Sequence, residues 1–316
     1  WPQKVLSGKE DQIRPCIGCH VGSMGRGFEG KHLSCAVNPA CGRERLYRIE
    51  RIAEPRKALV VGGGVAGMEA ARVLSLRGFE VSLYEATDRL GGNILPGSVP
   101  DFKADDRRLI AYYERQMEVR KVDVHMGARL TADQVGGMDA DVVILATGST
   151  ICTLDVPCSH PERMVDAVSV LEGAPVGQRV TMIGGGLVGC ETALQQGKEV
   201  TVVEMLPALL SAGRPVPFMN KDMLLTMMRR EGIREITNTS LLEVTEEGAV
   251  LVDNHFRTST VPCDTVVTCT GFKANDQLFK ELYGRVEHLY NVGDSQVAAD
   301  VMTAVWQANE VALNVS

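Results

Sequence analysis

Three glycines and one carboxylate, Gly62, Gly64, Gly67 and Glu85, have the types and spacing to hold a dinucleotide. In a Gly-x-Gly-x-x-Gly turn between a strand and a helix, the first glycine makes the tight turn and the second lets a pyrophosphate reach the backbone. The third, which follows Ala66, lets helix and strand pack closely, and the helix N-terminus offers its free N–H groups to the phosphates. Glu85 is placed to accept hydrogen bonds from a ribose diol. The pattern returns at Gly184, Gly186 and Gly189, followed by Glu204. A second set is sulfur: Cys16, Cys19, Cys35 and Cys41, spaced C-x2-C-x15-C-x5-C in a loop-like stretch with Gly and Pro. That spacing lacks the second close pair of a zinc ribbon. It suits thiolates on a short irregular loop around an iron–sulfur cluster; the alternative is a set of unconnected buried thiols packing as small hydrophobes.

These residues need strands and helices to position them. An apolar run at 58–61 meets the first glycine turn, an Ala/Leu-rich helical pattern follows, and a second strand at 81–84 ends on Glu85. Helical periodicity over 104–118 puts Leu109, Ile110, Tyr113 and Met117 on one face. A short strand is expected at 124–126 and a buried one at 141–145, running into Ala146-Thr147-Gly148. The second glycine turn lies between strands at 180–183 and 200–203. A helix at 220–230 follows, with strands at 240–245, 249–253 and 265–269, the last leading into Thr270-Gly271. A strand from Leu289 ends in Gly293-Asp294, and a closing helix over 302–315 buries Met302, Val305 and Trp306 as core. Between Gly189 and Gly197 the second helix has about one turn less room than the first has between Gly67 and Gly78. So short a helix should fail to reach its strand, which predicts that residues are missing near Leu194-Gln195.

The composition sets bounds. With 316 residues, 45% hydrophobic and a net charge of −7, the chain should form a globular protein of two domains. The acidic balance and the absence of a basic patch with interleaved aromatics argue against nucleic acid. No apolar run approaches the ~18 residues of a membrane span, and the first residues are too polar for a signal peptide. A cytosolic protein follows, and its nine cysteines read as thiols and metal ligands before disulfides.

The segments Ile13-Arg14-Pro15-Cys16-Ile17-Gly18-Cys19, Phe28-Glu29-Gly30-Lys31 and Cys35-Ala36-Val37-Asn38-Pro39 resemble the [4Fe-4S] loop of the 2-enoate reductase, 2,4-dienoyl-CoA reductase and trimethylamine dehydrogenase family. These are NADH:flavin oxidoreductases with an old-yellow-enzyme barrel. In the family's reductases the loop reads C-x2-C-x3-C-x11-C. The resemblance puts cluster ligands at Cys16, Cys19 and Cys35 and places Ser23 where the third cysteine belongs. A serine oxygen is a harder and more basic ligand than a thiolate, so the cluster would be labile, short of an iron, completed by Cys41, or lost.

The resemblance also implies an α/β fold of two Rossmann-like dinucleotide-binding domains, the NAD domain inserted in the FAD domain. Residues 1–55 would be a barrel tail and cluster loop, 56–150 and 271–316 the FAD domain, and 151–270 the NAD(H) domain. FAD would be met by Arg89, the Gly91-Gly92 turn, Asn93, Lys103, the Leu130 backbone, Ala146-Thr147-Gly148, Gly271, and Gly293 with Asp294. Glu204 favours the free 2′-hydroxyl of NADH, since a 2′-phosphate would meet like charge. Met205-Leu206-Pro207 offers no arginine clamp for such a phosphate. Electrons would pass from NADH through FAD and the cluster to FMN in a TIM barrel, on the same or a separate chain, which reduces the C=C bond of an enoate or enoyl-CoA. No residue of this chain is assigned as catalytic acid or base, and a homo-oligomer is expected.

Two alternatives are an amine dehydrogenase or N-demethylase half, with electrons running the other way, and a degenerate docking module without a cluster. Disulfide reduction is not expected. Cys152, Cys158, Cys190, Cys263 and Cys269 supply no close redox pair after the Gly91-Gly92 turn and no CxxC in the second nucleotide domain.

Overall fold

Short runs of Val, Ile and Leu bounded by glycine fold here as strands buried on both faces, which is what all-parallel sheets require. The computed structural model describes residues 1–315 and divides them into two compact units. The first unit contains β1 (Lys57–Val61), α1 (Val65–Arg77), β2 (Glu80–Tyr84), α2 (Ala104–Val119), β3 (Asp123–His125) and β4 (Val142–Leu145). The chain leaves it at Thr150 and builds the second unit from β5 (Met164–Asp166), β6 (Arg179–Ile183), α3 (Leu187–Gln195), β7 (Glu199–Val203), α4 (Phe218–Arg230) and β8 (Arg234–Ile236). Four more strands follow there: β9 (Thr239–Thr245), β10 (Gly248–Asp253), β11 (Thr258–Pro262) and β12 (Thr265–Thr268). The chain re-enters the first unit at Lys273 and adds β13 (Leu289–Asn291) and α5 (Val301–Asn314).

Each unit is built on a five-stranded parallel sheet, ordered β13-β4-β1-β2-β3 in the first and β5-β12-β6-β7-β8 in the second. Both place the glycine-loop strand in the centre, where the strand order reverses and open α/β sheets bind ligands. In the first unit α1 is enclosed: Met68, Ala70, Ala71, Val73 and Leu74 lose all exposure. Its neighbours are α2, which buries Leu109, Ile110, Tyr113 and Met117 as its periodicity requires, and α5. Each large side chain enclosed this way contributes about 1.5–3 kcal/mol. The second unit also carries an antiparallel sheet, β9-β10-β11. Its edge strand β11 escapes the sequence patterns because only Val261 of its five residues is buried.

Two connections set how the chain passes between elements. The nine-residue α3 does reach its strand: Gly197 turns left-handed at φ +58°, and Glu199 enters β7 opposite Arg179. Residues Pro96–Lys103, between two stretches of the first unit in sequence, belong to the second. Among the described residues no helix is long and apolar enough to cross a membrane.

Candidate functional site

The first glycine turn is fixed by contacts that leave no room for a side chain. Gly62 has φ +111°, and a Cβ there would lie 2.2 Å from the Ala146 carbonyl oxygen. A Cβ on Gly67 would lie 1.9 Å from the Gly62 oxygen, so α1 meets β1 at backbone distance. Gly64 begins the helix in extended conformation, and no side chain caps the first turn, which can receive phosphate oxygens. Glu85 is buried at the end of β2. One oxygen accepts the Gly63 N–H at 2.7 Å, and the other accepts the Thr87 N–H and hydroxyl at 2.8 Å each. Each carboxylate oxygen has more than one lone pair, so Glu85 braces the turn and can still accept a ribose hydroxyl.

The other residues expected around this turn assemble as follows. Gly91 donates its N–H to the Gly63 carbonyl at 2.9 Å, and a Cβ on Gly92 would come within 3.1 Å of the Gly64 Cα. Gly293, at φ +69°, leaves no room for a Cβ above Ala66. Asn93, Ser149 and Asp294 form one chain: the Asn93 amide donates to the Ser149 hydroxyl at 2.9 Å, which donates to Asp294 at 3.0 Å. Ser149, the residue after Ala-Thr-Gly, has no sequence signal of its own. Thr147 and Gly148 are tied to Asn275. Ala128 donates to the Glu85 carbonyl and brings the segment leading to half-buried Leu130 past the end of β2. Arg89 is exposed nearby. Lys103 belongs to the second unit, where its ammonium pairs with Glu191 of α3 at 2.7 Å.

The second turn repeats the first. Gly184 has φ +112°, a Cβ on Gly189 would lie 2.0 Å from the Gly184 oxygen, and nothing lies within 4 Å of a Cβ on Gly186. Glu204, buried at the end of β7, accepts the Gly185 N–H at 2.7 Å and the Leu206 N–H at 2.8 Å. Cys269 stands where the first unit has Ala146, and burial pushes its thiol and that of Cys190 up, Cys190 to about 12. Gly271, at φ +92°, accepts the Cys152 N–H on leaving this unit.

The cysteine segment encloses a cavity of ≈ 270 Å³ whose walls include Cys16, Cys19, Ser23 and Cys35. Burial raises the Cys19 thiol, and Cys35 and Cys16 beside it add to the shift. Cys41 is neighboured by Cys35 and Glu44 but is not in the wall. Among the described residues no three Cys, His, Asp or Glu side chains converge as ligands of a single ion would. A cluster that brings its own bridging sulfides needs a wider cage, and three thiols around a cavity have the donor chemistry for it. All nine cysteines are free thiols.

What holds this segment to the first unit was not foreseen. Arg14, two residues before Cys16, donates to the Val37 carbonyl and pairs with Glu69 of α1 at 2.9 Å. Glu69 is fully buried and also accepts from Arg72, Tyr113 and Asn309. Burial alone would raise its pKa; Arg14 and Arg72 outweigh this and hold it at about 2. Trp306 of α5 donates its indole N–H to the Cys35 carbonyl at 3.0 Å, and Arg43 stacks on the same ring. The tryptophan expected only to fill core thus anchors the cysteine loop.

Comparison with known proteins agrees with this anatomy. The family described as pyridine nucleotide-disulphide oxidoreductase matches residues 56–314. A cinnamate reductase of Clostridium sporogenes is 42% identical over 99% of this chain and 47% of its own length. A metal reductase of Desulforamulus reducens is 31% identical over 99% of this chain and 52% of its own. The solved structure of a 2-naphthoyl-CoA reductase in complex with 2-naphthoyl-CoA superposes with a TM-score of 0.93 at 27% identity, covering 99% of this chain and 48% of that one. The chain spans about half the length of the relatives it matches, and in them it corresponds to the C-terminal half.

Proposed function

This chain belongs to the pyridine nucleotide-disulphide oxidoreductase family, and from that premise we propose that it is the NADH-oxidising half of a cytosolic ene-reductase. Its partner in this reading is an FMN-binding barrel, on the same or a separate chain, that reduces the activated C=C bond of an enoate or enoyl-CoA. When bound, NADH supplies a hydride, and FAD and a [4Fe-4S] cluster convert it to single electrons for the barrel.

The chain's own residues bind and orient. Gly62, Gly64, Ala66 and Gly67 receive the FAD diphosphate, Glu85 its ribose, and the Asn93–Ser149–Asp294 chain aligns polar groups along its flavin half. Gly184, Gly186, Gly189 and Glu204 do the same for NADH; the buried Glu204 carboxylate accepts a 2′-hydroxyl and repels a 2′-phosphate. Cys16, Cys19 and Cys35 hold the cluster, with Ser23 beside them. Trp1, Leu6, Phe28, Leu33 and Leu46, all exposed and all within residues 1–55, supply an apolar surface for the barrel.

The observation that carries the reading is the presence, in one chain, of two glycine turns each braced by a buried glutamate at 2.7 Å together with a thiol-lined cavity. The intact second turn favours electron entry from NADH over an amine dehydrogenase half. Anaerobic titration of the purified chain with NADH tests it. About one FAD per chain, bleached by NADH and far less by NADPH, is the expected result. Protein that takes up no flavin would refute the assignment.

A further inference from the structure

The cluster reading supplies three cysteines, and the resemblance puts Ser23 at the remaining ligand position, in a wall that also holds His20 and Met24. Ser23 borders the same ≈ 270 Å³ cavity as Cys16, Cys19 and Cys35. Its carbonyl accepts the Gly27 N–H at 2.9 Å, but its side chain caps no helix N–H, so the hydroxyl is not spent on the helix it begins. Cys41, the remaining cysteine of the segment, lies outside the cavity wall, in a turn closed by its N–H on the Asn38 carbonyl at 3.0 Å. We propose that Cys16, Cys19 and Cys35 hold three irons of the cluster firmly, and that the iron at the Ser23 corner is the one this protein releases on oxidation.

The proposal rests on the reading of residues 16–35 as a cluster pocket and adds to it a chemical asymmetry. Thiolates are soft ligands that form near neutral pH, with an ordinary pKa of about 8.5, and iron–sulfur clusters select them. A serine oxygen must lose a far less acidic proton to compete. Removing one electron from [4Fe-4S]2+ with a one-electron oxidant, ferricyanide, weakens this corner first. In a loaded pocket Fe2+ would depart, the Ser23 oxygen would take a proton from water and leave hydroxide to the departing iron, and three thiolates would keep [3Fe-4S]+ with all four sulfides. The charges balance: 2+ becomes 1+ on the cluster, with 2+ on the departing iron and one electron on the oxidant.

The test uses the whole chain, reconstituted anaerobically with Fe2+ and sulfide, then treated with ferricyanide and desalted. Iron, acid-labile sulfide and the electron paramagnetic resonance spectrum are read together. The wild-type chain is expected to fall from about four irons to about three while keeping about four sulfides, and to show the isotropic signal of an oxidised three-iron cluster. Ser23→Cys should keep about four irons with little of that signal, and Cys41→Ser should behave as wild type. Retention of four irons by the oxidised wild-type chain would overturn the proposal, and their loss in Cys41→Ser would name Cys41 as the holder of the corner. Iron uptake by Ser23→Cys but not by wild type would also overturn it while leaving the pocket assignment intact. No iron uptake by either would remove the pocket assignment itself.

Discussion

The two nucleotide units use one local design for two different surroundings. Gly62 and Gly184 share φ values of +111° and +112°, and Met68 and Cys190 donate to Gly64 and Gly186 at 3.0 Å each. Both glutamates accept the central glycine N–H at 2.7 Å. Beyond the first turn the units diverge. α1 has thirteen residues and ends on left-handed Gly78, whereas α3 has nine. Glu69 and Glu191 each sit two residues past the third glycine, yet Glu69 is sealed among two arginines, a tyrosine and an asparagine, and Glu191 meets Lys103 at a half-buried surface. The N-terminal turn of each helix thus keeps one shared geometry, and the remainder is set by its neighbours. Only the first unit has to anchor a cysteine loop.

The largest expected difference is in stability. Glu69→Ala would leave Arg14 and Arg72 buried without their partner, a loss of about 3–5 kcal/mol, and would loosen the cysteine segment. Glu191→Ala breaks a pair that water still reaches and should cost about 1 kcal/mol or less. Urea unfolding of both variants beside wild type measures the gap; equal losses would show that the two helices are supported alike. The same contrast has a pH signature. Glu69 titrates at about 2 when folded against an ordinary 4.5. Between those values the unfolded chain takes up a proton that the folded chain refuses, so its contribution is complete above 4.5 and fades as pH falls toward 2. Unfolding midpoints collected down this acid range should drop less steeply in Glu69→Gln than in wild type.

A smaller effect separates two kinds of glycine. Gly62→Ala and Gly184→Ala place a Cβ 2.2 and 2.5 Å from a carbonyl oxygen at positive φ. Each should cost about 1–3 kcal/mol in backbone strain alone, with loss of FAD in the first case and of NADH oxidation in the second. Gly64→Ala and Gly186→Ala meet nothing closer than 3.9 Å. They should melt near wild type and lose only nucleotide affinity, FAD and NADH respectively, as read by flavin retention and by KM for NADH. A large drop in melting temperature for Gly186→Ala would contradict this division.

This division also explains what could be read in advance. The glycine turns, their glutamates and the flanking strands were legible because their determinants lie within about thirty residues and act through backbone geometry. The Arg14–Glu69–Asn309 network was not, because its members lie far apart in sequence and each, taken alone, looks like a surface residue. Ser149 sits next to a legible motif but acquires its meaning from Asn93 and Asp294, which only the tertiary fold brings to it. Strand β11 was missed for the opposite reason: an exposed edge strand has no buried face to impose alternation on its residues.

The smallest effect bears on nicotinamide choice. Glu204 cannot simply be removed to admit NADPH, because its two oxygens accept the buried N–H of Gly185 and the part-buried N–H of Leu206. Orphaning the Gly185 N–H would cost about 1–3 kcal/mol and open the turn itself. Glu85 is bound the same way to Gly63 and Thr87, so in both units the acid proposed to meet the ribose also shapes the glycine loop before the helix. Preference can be altered more gently at Met205, which is 69% exposed and adjacent to Glu204. Met205→Arg supplies a cation for a 2′-phosphate without touching the brace. It should raise kcat/KM for NADPH by about tenfold, a gain of about 1.4 kcal/mol, and leave NADH within about twofold and the melting temperature unchanged. A wild-type chain that already favours NADPH would refute the role given to Glu204. A Met205→Arg chain that gains nothing would mean that the glutamate's repulsion dominates the site, and that the second turn is committed to NADH by the same carboxylate that holds it together.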